Sequence, residues 1–225
     1  MIKRIFWAGD STVKDNFIDT YPRTGIAQGL RWYLKPDVTI INHAENAKST
    51  KNFIKEGRLE TIRLEIRDRD FFFIEFGHND WNDDPMRHTL PFEDYKSNLS
   101  QMVNVALEKG AYPVLITPLY CRFLDENGVL KHKVHFNYPD AMIELSQEMQ
   151  IPCIDLCEHS RQLLLHTDLS ISKNWYMNLK PGQYAAYPDG LADNAHLQYN
   201  GAIAFADILA KGLKGLGLIY ADLVL

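Results

Sequence analysis

The sequence predicts an α/β fold built on a doubly wound parallel sheet, and three features of it point there. Short apolar runs recur at residues 2–8, 37–43, 70–76, 112–117 and 152–156. They are continuous rather than alternating, as parallel strands covered on both faces require. Between them lie amphipathic helical patterns near residues 25–34, 58–67, 92–109, 139–149 and 155–166, with a last one near 199–213. Such βαβ alternation implies helices on both faces of the sheet.

Each element has its own warrant. The first run ends in Gly9-Asp10-Ser11-Thr12, a turn sequence. Its two basic residues before a short apolar stretch faintly resemble a signal peptide. The stretch is too short for one, however, and Asp10 interrupts it, so a first strand is expected. The second run (DVTIINH) leads into Ala44-Glu45-Asn46-Ala47-Lys48-Ser49, and the third (DFFFIEF) into Gly77-His78-Asn79-Asp80. Asp193-Asn194-Ala195-His196 precedes the last helical pattern. In open α/β sheets ligands gather beyond the carboxyl ends of the strands, which is where these polar segments fall.

Composition narrows the function classes. The 225 residues suit one domain over 1–225 with a substantial core. A net charge of -5 with no Lys/Arg block argues against a nucleic-acid partner. No stretch approaches the roughly 18 apolar residues of a membrane span. Cys121, Cys153 and Cys157 fit no disulfide framework, which favours the cytoplasm and free thiols.

The four polar segments contain what acyl transfer needs. A Ser hydroxyl requires an adjacent base held by a third group. Asp193 and His196 are close enough in sequence for the carboxylate to accept from Nδ1–H, leaving Nε2 to take the proton of Ser11. The tetrahedral oxyanion needs preorganised donors, available from the N–H groups of Ser11 and Ala47 and the side-chain amide of Asn79. No H-E-x-x-H or G-x-S-x-G motif competes, so no metal and no cofactor is expected.

In order along the chain, Gly9-Asp10-Ser11, Gly77-His78-Asn79-Asp80 and Asp193-x-x-His196 resemble blocks I, III and V of the SGNH/GDSL hydrolases. Residues 42–58, 76–80, 113–128 and 187–202 extend the resemblance to the rhamnogalacturonan acetylesterase branch. This implies a three-layer flavodoxin-like fold, a five-stranded parallel sheet in order 2-1-3-4-5, and metal-free deacetylation of pectic sugars. One position departs: Ala47 stands where the family's block II usually has Gly. If φ there is negative, Ala keeps its donor; if φ must be positive, Ala is strained.

Other residues have blander readings beside the functional one. His78 suits a structural partner behind the site, with substrate contact as the alternative, and Asp10 and Asp80 suit loop braces. Glu75 sits within an apolar strand, where an unpaired charge is expensive; a buried partner or an end-of-strand position explains it as well as a functional role does. His88, His132 and His135 read as surface loop residues rather than metal ligands, although His135 is also a candidate for the substrate cleft. Trp81, Trp175, Tyr176 and Tyr184 offer ring faces to sugars, with only one or two expected to do so. The expected function is hydrolysis of acetylated pectic oligosaccharides, imported into the cell. Its rivals are a broad acyl esterase or lysophospholipase-like hydrolase, and a carbohydrate-binding homologue supported by Ala47 alone. Oligomeric state is not encoded legibly.

Overall fold

The structure, a computed structural model, describes residues 2–225. Five parallel strands form its centre: β1 (Lys3–Ala8), β2 (Val38–Asn42), β3 (Phe71–Glu75), β4 (Tyr112–Ile116) and β5 (Cys153–Ile154). Their spatial order is β2-β1-β3-β4-β5, as the resemblance implies. Alternate residues of each strand face opposite sides, so each apolar run is shared between two cores. Ile5, Trp7, Phe71, Phe73, Val114 and Ile116 belong to one. Phe6, Ala8, Phe72, Ile74 and Leu115 belong to the other.

Helices cover both faces. The first core takes in α1 (Ile26–Leu30), α6 (Leu156–Leu165) and α8 (Tyr199–Leu216). The second takes in α2 (Thr50–Lys55), α3 (Arg58–Glu65), α4 (Lys96–Glu108) and α5 (Tyr138–Met149). In α8, Ala202, Phe205, Ala206, Leu209, Ala210 and Leu213 make one buried stripe at helical spacing. Gly29 lets α1 lie hard against it, since a Cβ there would sit 2.2 Å from the Ala202 carbonyl oxygen. The short helices α7 (Leu169–Lys173) and α9 (Leu218–Ala221) complete the chain. Among the described residues no helix is long and apolar enough to cross a membrane.

The structure departs from the sequence expectations at three places. Helix α2 was not expected; Ser49 caps it, with Ser49 and Asn52 bonding reciprocally. The pattern at 92–109 begins with an irregular turn at Pro91–Tyr95, where Glu93 has non-helical φ and ψ, before α4. Finally, Asp193 and His196 lie on a strand not among the five expected, β7 (Leu191–Leu197), paired antiparallel with β6 (Tyr176–Leu179). This hairpin lies outside the main sheet and delivers both side chains to the carboxyl ends of β1 and β3. There the strand order reverses, the usual ligand position of such folds.

Candidate active site

β1 runs into Gly9, where a Cβ would come within 2.8 Å of Val13 Cγ2. The chain then turns, the Asp10 carbonyl accepting from the N–H groups of Val13 (3.2 Å) and Lys14 (3.0 Å). Asp10 Oδ1 accepts from the Thr12 N–H (2.9 Å) and hydroxyl (2.8 Å), bracing the loop as expected. Ser11 is left half-buried at its tip. Its Oγ lies 2.9 Å from His196 Nε2, and His196 Nδ1 lies 2.6 Å from Asp193 Oδ2. Asp193 Oδ1 accepts from the N–H groups of Ala195 (2.7 Å) and His196 (3.0 Å). This local turn is how a three-residue spacing brings carboxylate to imidazole on a strand. With Nδ1 donating to Asp193, Nε2 faces the Ser11 hydroxyl as an acceptor. Burial opposes the charge on Asp193, but the hydrogen bond and charge of His196, helped by the two N–H groups, hold its carboxyl below the usual value.

The second loop is tied to the first. The Glu45 N–H donates to the Gly9 carbonyl (3.2 Å), and the Glu45 carboxylate pairs with Lys14. Ala47 has a φ of 58°, in the left-handed region. The alternative left open by the sequence is thereby decided: an alanine holds a position that costs an L-residue about 1–2 kcal/mol. Its carbonyl accepts from Asn52 Nδ2 (3.1 Å), so the same Asn that caps α2 also pins the strained residue. Asn79 Nδ2 donates to the Lys48 carbonyl at 3.1 Å, leaving that nitrogen a second hydrogen. Among the described residues, the N–H groups of Ser11 and Ala47 have no hydrogen-bond partner.

Behind the nucleophile loop lies a buried polar cluster. His78 Nδ1 is 3.2 Å from Asp10 Oδ2, and its Nε2 donates to the Leu119 carbonyl at 2.8 Å. Both ring nitrogens face acceptor oxygens, an arrangement that favours the protonated ring. Burial alone would push its pKa down, but the charge and hydrogen bond of Asp10 carry it well above the ordinary value. His135 packs edge-on against it, with ring centroids 4.6 Å apart. Here an expectation is corrected: His135 is 1% exposed rather than a surface loop residue, and its Nε2 lies 2.8 Å from the same Leu119 carbonyl. His78, Cys121 and His135 bring potential ligand atoms within 4.8 Å of one another. His78 and His135 both reach the Leu119 carbonyl, and so tie the third loop to the segment that follows β4. Asp80 Oδ1 likewise accepts from the Thr50 N–H (3.0 Å) and hydroxyl (2.6 Å) and from Thr89 Oγ1 (3.1 Å), joining α2 to the third loop.

Glu75, fully buried at the end of β3, accepts from the Leu119 N–H at 3.3 Å. Burial first, and then the charge of Asp10, push its carboxyl up to about 8. The folded chain therefore keeps Glu75 protonated where the unfolded chain ionises it. Its stabilisation is complete below the ordinary value of 4.5 and is lost as pH rises through about 8. Glu75→Gln should remove this loss. The stability of the variant relative to the parent should climb between pH 5 and pH 9, by up to about 1.4 kcal/mol per pH unit. Parallel melting-temperature profiles for the two proteins over that range would refute it.

The aromatic candidates divide. Trp81 is exposed and meets Phe136 edge-on at 5.8 Å, and half-buried Tyr184 meets Tyr21 at 5.6 Å. Trp175 packs against Phe205 of α8 at 5.6 Å, and Tyr176 is fully buried with its hydroxyl on the Tyr120 carbonyl (2.6 Å). Trp81 and Tyr184 therefore have ring surface to offer a ligand, whereas Tyr176 belongs to the core. The exposed rings Tyr21 and Phe136, and Arg23, which bridges to Gln198, were not singled out from sequence, where no local pattern marks them.

A hydroxyl, an imidazole and a carboxylate bonded in series at the reversal point of a doubly wound sheet define a hydrolase of the acyl-transfer class. The GDSL-like lipase/acylhydrolase family matches residues 5–209, and the chain belongs to that family of ester hydrolases. It is 36% identical over 219 residues to the rhamnogalacturonan acetylesterase RhgT of Bacillus subtilis (strain 168), covering 97% of this chain and 93% of that one. It is 37% identical over 222 residues to the probable rhamnogalacturonan acetylesterase YesY of the same organism, covering 97% and 95%. The crystal structure of YxiM from Bacillus subtilis shares its fold, with a TM-score of 0.82 at 22% identity. That match covers 97% of this chain but 58% of the other, so the present chain spans little more than half of that structure.

Proposed function

We propose that the protein is a serine carbohydrate O-acetylesterase that removes acetyl groups from pectic oligosaccharides of the rhamnogalacturonan type. The observation that carries the chemistry is the series Ser11 Oγ, His196 Nε2, His196 Nδ1, Asp193 Oδ2, with contacts of 2.9 and 2.6 Å. The choice of substrate is supported by the two acetylesterase relatives at 36% and 37% identity. Ser11 Oγ attacks the acetyl carbonyl as His196 Nε2 takes its proton, and Asp193 stabilises the resulting imidazolium. The N–H groups of Ser11 and Ala47 and the Asn79 amide hold the oxyanion. His196 then protonates the departing sugar oxygen. Water, deprotonated by His196 in turn, attacks the acyl-enzyme and releases acetate. The acetylated oligosaccharide is the partner this scheme requires, and residues 1–225 act in it as one hydrolase domain. The three unpaired cysteines support a reducing cytoplasm, where the substrates would be imported fragments.

Acetate release from a panel of acetylated polysaccharides and their oligomers tests this reading. Rhamnogalacturonan oligomers should exceed acetylated xylan in kcat/KM by about tenfold or more, and acetyl esters should be cleaved faster than octanoyl esters. Activity that rises with acyl chain length would point instead to a lysophospholipase-like hydrolase.

A further inference from the structure

Beside the triad stands a cation that no carboxylate balances. Arg23 forms a β-bridge with Gln198, and the Thr24 N–H donates to the Leu197 carbonyl at 2.9 Å, so the segment lies directly against the strand end that carries His196. Across the site, Arg23 Nη2 reaches Asn46 Oδ1 at 3.4 Å, one residue before Ala47. The other cations of these loops are neutralised: Lys14 pairs with Glu45, Lys48 with Glu56, and Arg31 bidentately with Asp15. Among the described residues Arg23 has no carboxylate within 4.0 Å. Its Nε is buried without a hydrogen-bond partner. Asp193 and Asp10 act on it only at longer range, being engaged with His196 and with Thr12 and His78. Withdrawing the Nε–H from water without an acceptor is costly, and the planar fork of a guanidinium matches a carboxylate.

Arg23 also lines an open groove of about 440 Å³ whose walls include Phe17, Tyr21, Trp32 and Tyr199. All four aromatics are exposed, and Trp32 meets Tyr199 edge-on at 6.4 Å. Tyr199 follows Gln198 directly, so the groove begins where the catalytic strand ends. Aromatic faces with one unpaired guanidinium suit a sugar ring bearing a carboxylate.

We propose that Arg23 and this groove form a subsite for a uronic acid, seating its carboxylate next to the acetylated sugar and so selecting acidic over neutral acetylated glycans. The assignment rests on the acetylesterase reading above, and it names the residue that would read the acid. The test compares acetylated galacturonate-containing oligosaccharides with the same oligosaccharides after chemical reduction of their carboxyl groups. In the parent enzyme, reduction should lower kcat/KM by about tenfold or more, and raised ionic strength should shrink the difference. In Arg23→Gln the ratio between the two substrates should collapse to within about twofold of unity. Because the readout is a ratio, a general loss of turnover cancels. Trp32→Ala should raise KM for both oligosaccharides and leave the ratio intact. A parent that does not distinguish the substrates, or an Arg23→Gln variant that keeps the parent's ratio, overturns the subsite. A parent that cleaves a chromogenic acetate but releases nothing from any pectic oligosaccharide overturns the subsite and the acetylesterase reading together.

Discussion

Ser11→Ala should leave a folded protein whose kcat on acetylated oligosaccharide is about 10⁴–10⁶-fold lower. The hydroxyl lost is the atom proposed to attack, and His196 cannot replace it while Asp193 holds Nδ1 at 2.6 Å. The fold should survive because the one side-chain bond removed is Oγ to His196 Nε2, at the tip of a half-buried loop. The loop itself is held by Asp10 through Val13, Lys14 and Thr12. Acetate release gives the rate, and mass spectrometry of protein treated with a serine-directed phosphonate gives the site. The parent should carry the adduct on Ser11 and the variant none. A variant within tenfold of parental activity would remove Ser11 from the mechanism.

The legible parts of this molecule are those where one physical rule acts alone. Strands β1 and β3 are buried on both faces over Ile5–Ala8 and Phe71–Ile74, so those stretches are continuously apolar and could be read directly. The Asp193–His196 pair was legible as chemistry but not as structure. β7 reads Leu-Ala-Asp-Asn-Ala-His-Leu, and a strand rich in functional polar side chains loses the apolar signature that identifies strands. Helix α2 did leave a signal, the Ser49–Asn52 capping pair, but at Thr50–Lys55 it is too short for periodicity to register. His135 was misjudged because its neighbours His132 and Lys133 are exposed, and a single buried residue in a polar stretch has no period to betray it. Ala47 is the inverse case: the sequence posed the question, and only a dihedral angle could answer it.

The same angle sets up the second large effect. Asn79→Ala should lower kcat by about 10²–10³, equivalent to roughly 3–4 kcal/mol of transition-state stabilisation, because it deletes the side-chain donor proposed for the oxyanion. Asn79→Asp should be at least as damaging, since it sets a charged acceptor where a donor is needed. Loss of the bond from Asn79 Nδ2 to the Lys48 carbonyl loosens the loop in either variant, so the fall in kcat combines lost donor chemistry with lost bracing. Ala47→Gly is the contrasting substitution. Glycine relieves a left-handed strain of about 1–2 kcal/mol and gives back about 0.5–1 kcal/mol in backbone entropy, so stability should change little or rise slightly. The N–H stays in either case, and turnover should remain within about one order of magnitude of the parent. The strain is already borne by the Asn52 contact to the Ala47 carbonyl and by the tie from Glu45 to Gly9. If Ala47→Gly instead raised kcat a hundredfold or more, the alanine would be holding the loop out of catalytic register. The natural protein would then be closer to a carbohydrate-binding homologue than to an efficient esterase.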